Sequence, residues 1–186
     1  MTLKAVIPFA HNLLEKAIEK GETVIDATCG NGNDTLFLSR LVGDQGKVYA
    51  FDIQEQAIET TKALLKKEKR SNVSLIQDSH ALVDSYVDEE EIAAAVFNLG
   101  YLPRSDKTII TKPETTIGAI EKILPRLKKN GLLVLVVYAG HPGGKEEKEA
   151  VMNYVSQLNQ KEYMALKYHF INLVNDPPFV LAIEKK

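Results

Sequence analysis

Short unbroken apolar runs alternate along the chain with stretches whose apolar residues recur every three or four positions. The first kind, as in Val24-Ile25, Val48-Tyr49-Ala50-Phe51 and the run from Leu132 onward, suits strands covered on both faces of a sheet. The second kind, as in Leu13, Leu14, Ala17 and Ile18, suits helices with one buried face. Read in order, the changes predict a helix over 10–20 ended by Gly21, a strand into Asp26 and a helix over 35–41 capped by Asn33 or Asp34. A strand over 47–52, a long helix over 54–69, a strand over 73–77, a short helix over 80–86 and a strand over 92–97 follow. Beyond a polar loop come a helix from Pro113 to about residue 127, a strand over 132–138, a polar helix over 145–158, and two strands over 163–173 and 179–184.

Five strands that alternate with helices predict a parallel sheet with helices on both faces. The last two strands have only 174–178 between them, too short for a crossover, so they should pair antiparallel. The expected fold is α/β: a doubly wound, mostly parallel, seven-stranded Rossmann-like sheet closed by a C-terminal antiparallel hairpin. A chain of 186 residues fits one such domain over 1–186.

Composition narrows the picture only a little. A formal net charge of −2 argues against a generic polyanion binder, although a basic patch can be local. The single cysteine, Cys29, excludes an internal disulfide and suits the reducing cytoplasm. No apolar run is long enough to span a bilayer, and the N-terminal apolar stretch is broken by Pro8 and His11. The four histidines, His11, His80, His141 and His169, are far apart and have no cysteine pairs beside them, so no metal site is expected.

The candidate chemistry starts at Val24-Ile-Asp26-Ala-Thr28-Cys29-Gly30-Asn31-Gly32-Asn33-Asp34-Thr35. A strand, a glycine turn and a helix in this order build a nucleotide-type pocket at the strand's carboxyl end. Gly30 and Gly32 allow a sharp turn and a close approach by a ligand. A dinucleotide fingerprint needs a third glycine where Thr35 stands. The D-x-x-x-G-x-G form, with Thr28 in place of the usual first glycine, instead resembles motif I of class I S-adenosylmethionine (SAM) methyltransferases, which also end in an antiparallel hairpin.

Polar residues mark the other strand ends, which meet at one crevice in a doubly wound sheet. Asp52, 20 residues after Gly32, can accept from both hydroxyls of a ribose, and Gln54 follows it. Asp78, Ser79 and His80 stand where an adenine edge can be read, and Asn98 and Gly100 lie beside the expected reactive group. The candidate cofactor set is therefore Asp26, Thr28, Gly30, Asn31, Gly32, Asn33, Asp52, Gln54, Asp78, Ser79, His80, Asn98 and Gly100. Each acid also has an ordinary reading as a helix cap, and an NAD site stays open because Asp52 suits that ribose as well.

Five segments carry a more specific resemblance. Pro8-Phe-Ala-His11, Ile25 through Asp34, Phe51-Asp-Ile-Gln54, Asn98-Leu-Gly-Tyr-Leu-Pro103 and Gly140-His-Pro-Gly-Gly144 together resemble a small bacterial family, the YtqB-like methylases now associated with MnmM. The resemblance covers nearly the whole chain. It implies SAM as cofactor and the anticodon loop of tRNA as partner. The implied reaction is N-methylation of the 5-aminomethyl group of 5-aminomethyl-2-thiouridine at the wobble position.

With that acceptor, Asn98 would hold the amine, Tyr101 would stack on the base or close the pocket, and His141 would take the proton or orient the substrate. His11 would line the mouth, while Cys29, in the cofactor turn, reads as packing. Arg104, Lys107 and Lys112 would grip RNA phosphates at the rim. Lys62, Lys66, Lys67, Lys69 and Arg70 read as one solvated helix face. Three rivals stay open: a methyltransferase for rRNA, protein or a small molecule, a non-catalytic SAM-binding module, and an NAD enzyme. The apolar terminal strands also make a homodimer an expectation.

Overall fold

The computed structural model describes residues 2–100, 110–140 and 142–186. Seven strands form one sheet: β1 (Thr23–Asp26), β2 (Lys47–Phe51), β3 (Val73–Ile76), β4 (Ile92–Leu99), β5 (Leu127–Val137), β6 (Tyr163–Tyr168) and β7 (Phe179–Lys185). Their spatial order is β3-β2-β1-β4-β5-β7-β6. The pairs among β1 to β5 are parallel, and β7 runs antiparallel to both β5 and β6. The expected topology is therefore the observed one. The chain leaves β1 on one side for β2 and returns on the other for β4, so the carboxyl ends of β1 and β4 flank the crevice where such sheets take ligands.

The helices are α1 (Val6–Ala17), α2 (Asn33–Val42), α3 (Glu55–Lys67), α4 (Val83–Tyr86), α5 (Pro113–Ile123) and α6 (Gly144–Ser156). Alternate strand residues face opposite layers. Ile25, Phe51, Phe97, Leu133 and Leu135 pack with Ile120 and Ile123 of α5 and Val151 and Val155 of α6. On the other face Val24, Val48, Val96, Val134 and Val136 pack with Ala10 and Leu14 of α1 and Leu38 and Val42 of α2. Burial on both faces is why these strands read as unbroken apolar runs.

Several boundaries differ from the sequence expectation. α1 begins at Val6 rather than residue 10, because Pro8 lies in its first turn, where a helix needs no backbone donor. β5 begins at Leu127, before the expected Asn130-Gly131 turn. That dipeptide is instead a kink within the strand, with Asn130 at φ 61° and a register shift between Ile92 and Ala94 of β4. β6 ends at Tyr168, five residues short of the expected 173. Arg70 is not on a free face: it donates to Ser39 Oγ and the Ser39 carbonyl and pairs with Asp44 at 3.0 Å. Among the described residues, no helix is long and apolar enough to cross a membrane.

Candidate active site

The glycine turn after β1 is held from behind. Asp26 is fully buried, and its carboxylate accepts from Thr35 Oγ1 at 2.6 Å and from the Thr28 amide at 3.2 Å. Burial, with the charge of Asp34 adding to it, pushes the Asp26 carboxyl up to about 7. Thr28 Oγ1 accepts the Asn98 amide at 2.7 Å, which ties the turn to the end of β4. Gly30 and Gly32 both take positive φ, 52° and 83°. A Cβ on Gly32 would also meet Thr61 Oγ1 at 2.8 Å. Gly32, not Asn33 or Asp34, is the cap of α2, so the expected side-chain cap is absent and the Asp34 carboxylate is free to turn elsewhere.

Asp26 and Gly32 therefore shape the turn from behind the cavity wall instead of facing a ligand, which corrects their place in the cofactor set. The raised Asp26 value has a measurable consequence. A carboxyl whose folded value exceeds its unfolded one stabilises the fold below the unfolded value, and that contribution is lost as pH rises through the folded value. We expect Asp26→Asn, which keeps the neutral form's shape, to gain stability relative to wild type between about pH 5 and pH 8. Urea unfolding at both pH values checks this, and an unchanged difference would contradict it.

Asp52 ends β2 with one oxygen on the Gly30 amide and the other on the Gln54 amide, both at 3.0 Å. Burial raises its carboxyl above the usual range against the opposing pull of those amides. The cap residue of α3 is Gln54, and Asp52, two residues earlier, holds that residue's amide while its carboxylate lines the cavity. Ile53 beside it is 54% exposed, an apolar side chain left open at a ligand wall.

Asp78 accepts from the Ser79 amide at 2.7 Å and from the Tyr86 hydroxyl at 2.6 Å, and these bonds hold its carboxyl below the usual range. Ser79 Oγ caps the following 3-10 turn by accepting from the Ala81 amide. His80 is buried with Nδ1 2.9 Å from the Ala27 carbonyl, and burial lowers its pKa, so the ring is neutral and Nδ1 donates. Its Nε2 has no partner among the described residues.

One cavity of about 1150 Å³ joins these groups. Thr28, Gly30, Asn31, Asn33, Asp52 and Gln54 line it with Asp78, Ser79 and His80. Asn98, Gly100 and Lys112 line it as well, so most of the candidate set converges on a single cleft. Sequence reasoning missed Ile7, Ile53, Asp34, Tyr138 and Asp176, which also line it. Tyr138 was detectable as the residue ending the most apolar strand, whereas Asp176, in a loop without periodicity, gave no signal. His11 stands behind the wall: its Nε2 is 2.6 Å from Asp34 Oδ1, and its ring stacks on Phe37. Tyr101, Arg104, Lys107 and His141 lie outside the described residues.

A family model described as "Putative rRNA methylase" matches residues 48–184. The chain belongs to this rRNA methylase family. A "putative rRNA-methylase" from Clostridium thermocellum is 42% identical, with a TM-score of 0.97 and full coverage of both chains. A "putative methyltransferase" from Streptococcus mutans, solved in complex with SAH, is 46% identical with a TM-score of 0.92, again over the whole of both chains. The tRNA (mnm(5)s(2)U34)-methyltransferase, chloroplastic, of Arabidopsis thaliana is 42% identical over 98% of this chain and 70% of its own length.

This rRNA methylase family member is a SAM-dependent methyltransferase of the class I fold. The donor set fits that cofactor. Asp52 would have its remaining lone pairs for a ribose, Ile53 an apolar wall for a planar base, and Asp78-Ser79 a polar edge. The NAD alternative falls with the family assignment.

Proposed function

We propose that this methyltransferase N-methylates the 5-aminomethyl group of 5-aminomethyl-2-thiouridine at the tRNA wobble position. The likeness to the Arabidopsis enzyme along nearly the whole chain carries the reading. The cavity supports it: about 1150 Å³ exceeds what one cofactor fills and leaves space at the Asn98 end for a nucleoside ring.

The cofactor, when bound, supplies a methyl group made electrophilic by its sulfonium. The chain's part is positioning and keeping water out. Asp52 holds the ribose side. Asn98, fixed through its own amide on Thr28, orients the acceptor nitrogen. A desolvated cleft favours the neutral, nucleophilic amine over the ammonium. Tyr101 as the stacking partner and His141 as proton acceptor belong to the same proposal. So do Arg104, Lys107 and the exposed Lys112 as phosphate contacts for an anticodon loop whose target base is splayed into the cleft.

Two further parts concern where and in what form the protein works. We place it in the cytoplasm, where the buried thiol of Cys29 stays reduced. We also propose a homodimer through the outer strand, where Met164 is 61% and Leu166 48% exposed. Light scattering is expected to read a dimer mass, and a monomer at micromolar concentration would overturn that part.

The test in cells is the nucleoside profile of tRNA from a strain lacking this protein. 5-Aminomethyl-2-thiouridine should accumulate and its methylated form disappear, with both restored by the gene. The family model's description favours a second reading, an rRNA acceptor. An unchanged tRNA profile together with a lost rRNA methyl group would move that reading to the front.

A further inference from the structure

Asp34 is an unusual carboxylate for a cleft wall. Its side chain is 14% exposed, and each oxygen is held by one neighbour at 2.6 Å: Oδ1 by His11 Nε2 and Oδ2 by Asn98 Nδ2. The holders come from different elements, α1 and the end of β4, while Asp34 sits in the first turn of α2. Three parts of the fold thus converge to fix one carboxylate at the edge of the cavity. Asn98 carries no charge, and His11 is the one ion-pair partner of Asp34 among the described residues. Each oxygen keeps lone pairs that these two single contacts do not use.

The surroundings define the ligand these would take. The described residues lining the cleft include four carboxylates, Asp34, Asp52, Asp78 and Asp176, against one lysine, Lys112, and of the four Asp176 is already paired with Lys148 at 2.7 Å. The three remaining acids leave the inner wall favourable to a cation. Tyr138, on the same wall, feels the Asp34 charge as well as its own burial. Asp52 and Asp78 lie at the β2 and β3 ends, whereas Asp34 stands with Asn98 at the β4 end, the side proposed above for the acceptor.

We propose that Asp34, held open by His11 and Asn98, is a receptor for a primary ammonium group. A carboxylate with both oxygens pinned and spare lone pairs on each offers directional, charge-assisted acceptors that a water-filled cleft would not. Two ammonium groups are candidates for this receptor. One is the α-ammonium at the methionyl end of the cofactor. The other is the aminomethyl group of the acceptor, seated as the ammonium on arrival and before it gives up its proton to become the nucleophile, a part that rests on the proposed function. His11 and Asn98 are positioning residues in this scheme. They set the direction of the carboxylate, and Asn98 links it to the cofactor turn through Thr28.

Binding measurements separate the sources. Calorimetry of wild type and Asp34→Asn would use S-adenosylhomocysteine and its analogue lacking the α-amino group, and separately tRNA with and without the wobble aminomethyl group. A receptor for the cofactor makes wild type prefer S-adenosylhomocysteine over its analogue by about 10- to 100-fold, a preference that Asp34→Asn removes. A receptor for the acceptor gives the same loss in the tRNA pair only. His11→Gln, which leaves the carboxylate in place but frees its direction, should lose part of whichever preference wild type shows, and it serves if Asp34→Asn folds poorly. Equal preference in wild type and both variants, for both ligand pairs, overturns the proposal. If wild type does not distinguish the two tRNAs, the acceptor reading fails, while the S-adenosylhomocysteine pair still tests the receptor.

Discussion

Asp52→Ala should weaken S-adenosylhomocysteine binding by about 100-fold or more while leaving the protein folded. Each hydrogen bond to a charged acceptor contributes roughly 1.5–3 kcal/mol, and a ribose offers two, so about 3 kcal/mol is the lower end of the loss. The carboxylate also fixes the wall itself, because its oxygens hold the amides of Gly30 and Gln54 at 3.0 Å. Removing it frees the cofactor turn and the start of α3 together. Stability should fall less than affinity, since burial already penalises the charged form of Asp52 in the free protein. Calorimetric titration with S-adenosylhomocysteine checks this, and a loss under tenfold would mean that the ribose sits elsewhere.

The second large effect comes from behind the cleft, at α6. Glu147 of α6 is 1% exposed and accepts from Thr111 Oγ1 at 2.6 Å and Thr116 Oγ1 at 2.8 Å. Thr111 in turn closes on Gly100: its Oγ1 accepts the Gly100 amide and its own amide donates to the Gly100 carbonyl, both at 3.0 Å. Glu147 thereby anchors the point where the chain leaves β4 for residues 101–109 and returns from them. Glu147→Ala would strand two threonine hydroxyls and open a cavity, a destabilisation of about 3 kcal/mol. For a domain of this size that lowers the melting temperature by roughly 6–12 °C. Methyl transfer should fall with it, because Tyr101, Arg104 and Lys107 lie between the two anchored residues. A melting temperature within about 2 °C of wild type would contradict this account.

Where local pattern and global fold agree, the sequence reads directly. β1, the glycine turn and Asp52 are legible because the turn needs glycine and a covered strand needs an apolar run. The terminal hairpin is legible because 174–178 leaves no room for a crossover. The failures come where a residue's usual local role is overridden by a distant partner. Asp34 stands where a cap is expected, but Gly32 takes the cap and Asp34 turns to His11 and Asn98, 23 and 64 residues away. Asn130-Gly131 has the composition of a chain-reversing turn, yet pairing of β5 with β4 on both sides of it makes it a kink. Asp26 carries the motif but faces inward, because only the Thr28 and Thr35 contacts reveal which way its carboxylate points.

In the proposed reaction one cleft brings the cofactor to the β1–β2–β3 ends and a wobble aminomethyl group to the β4–β5 ends. The most direct measurement is transfer of labelled methyl from SAM by the purified protein to tRNA from cells that lack it, with the nucleosides then separated and weighed. The account predicts that 5-aminomethyl-2-thiouridine is consumed and that the label appears in an equal amount of 5-methylaminomethyl-2-thiouridine. Unlabelled tRNA from a protein that still binds S-adenosylhomocysteine would contradict it.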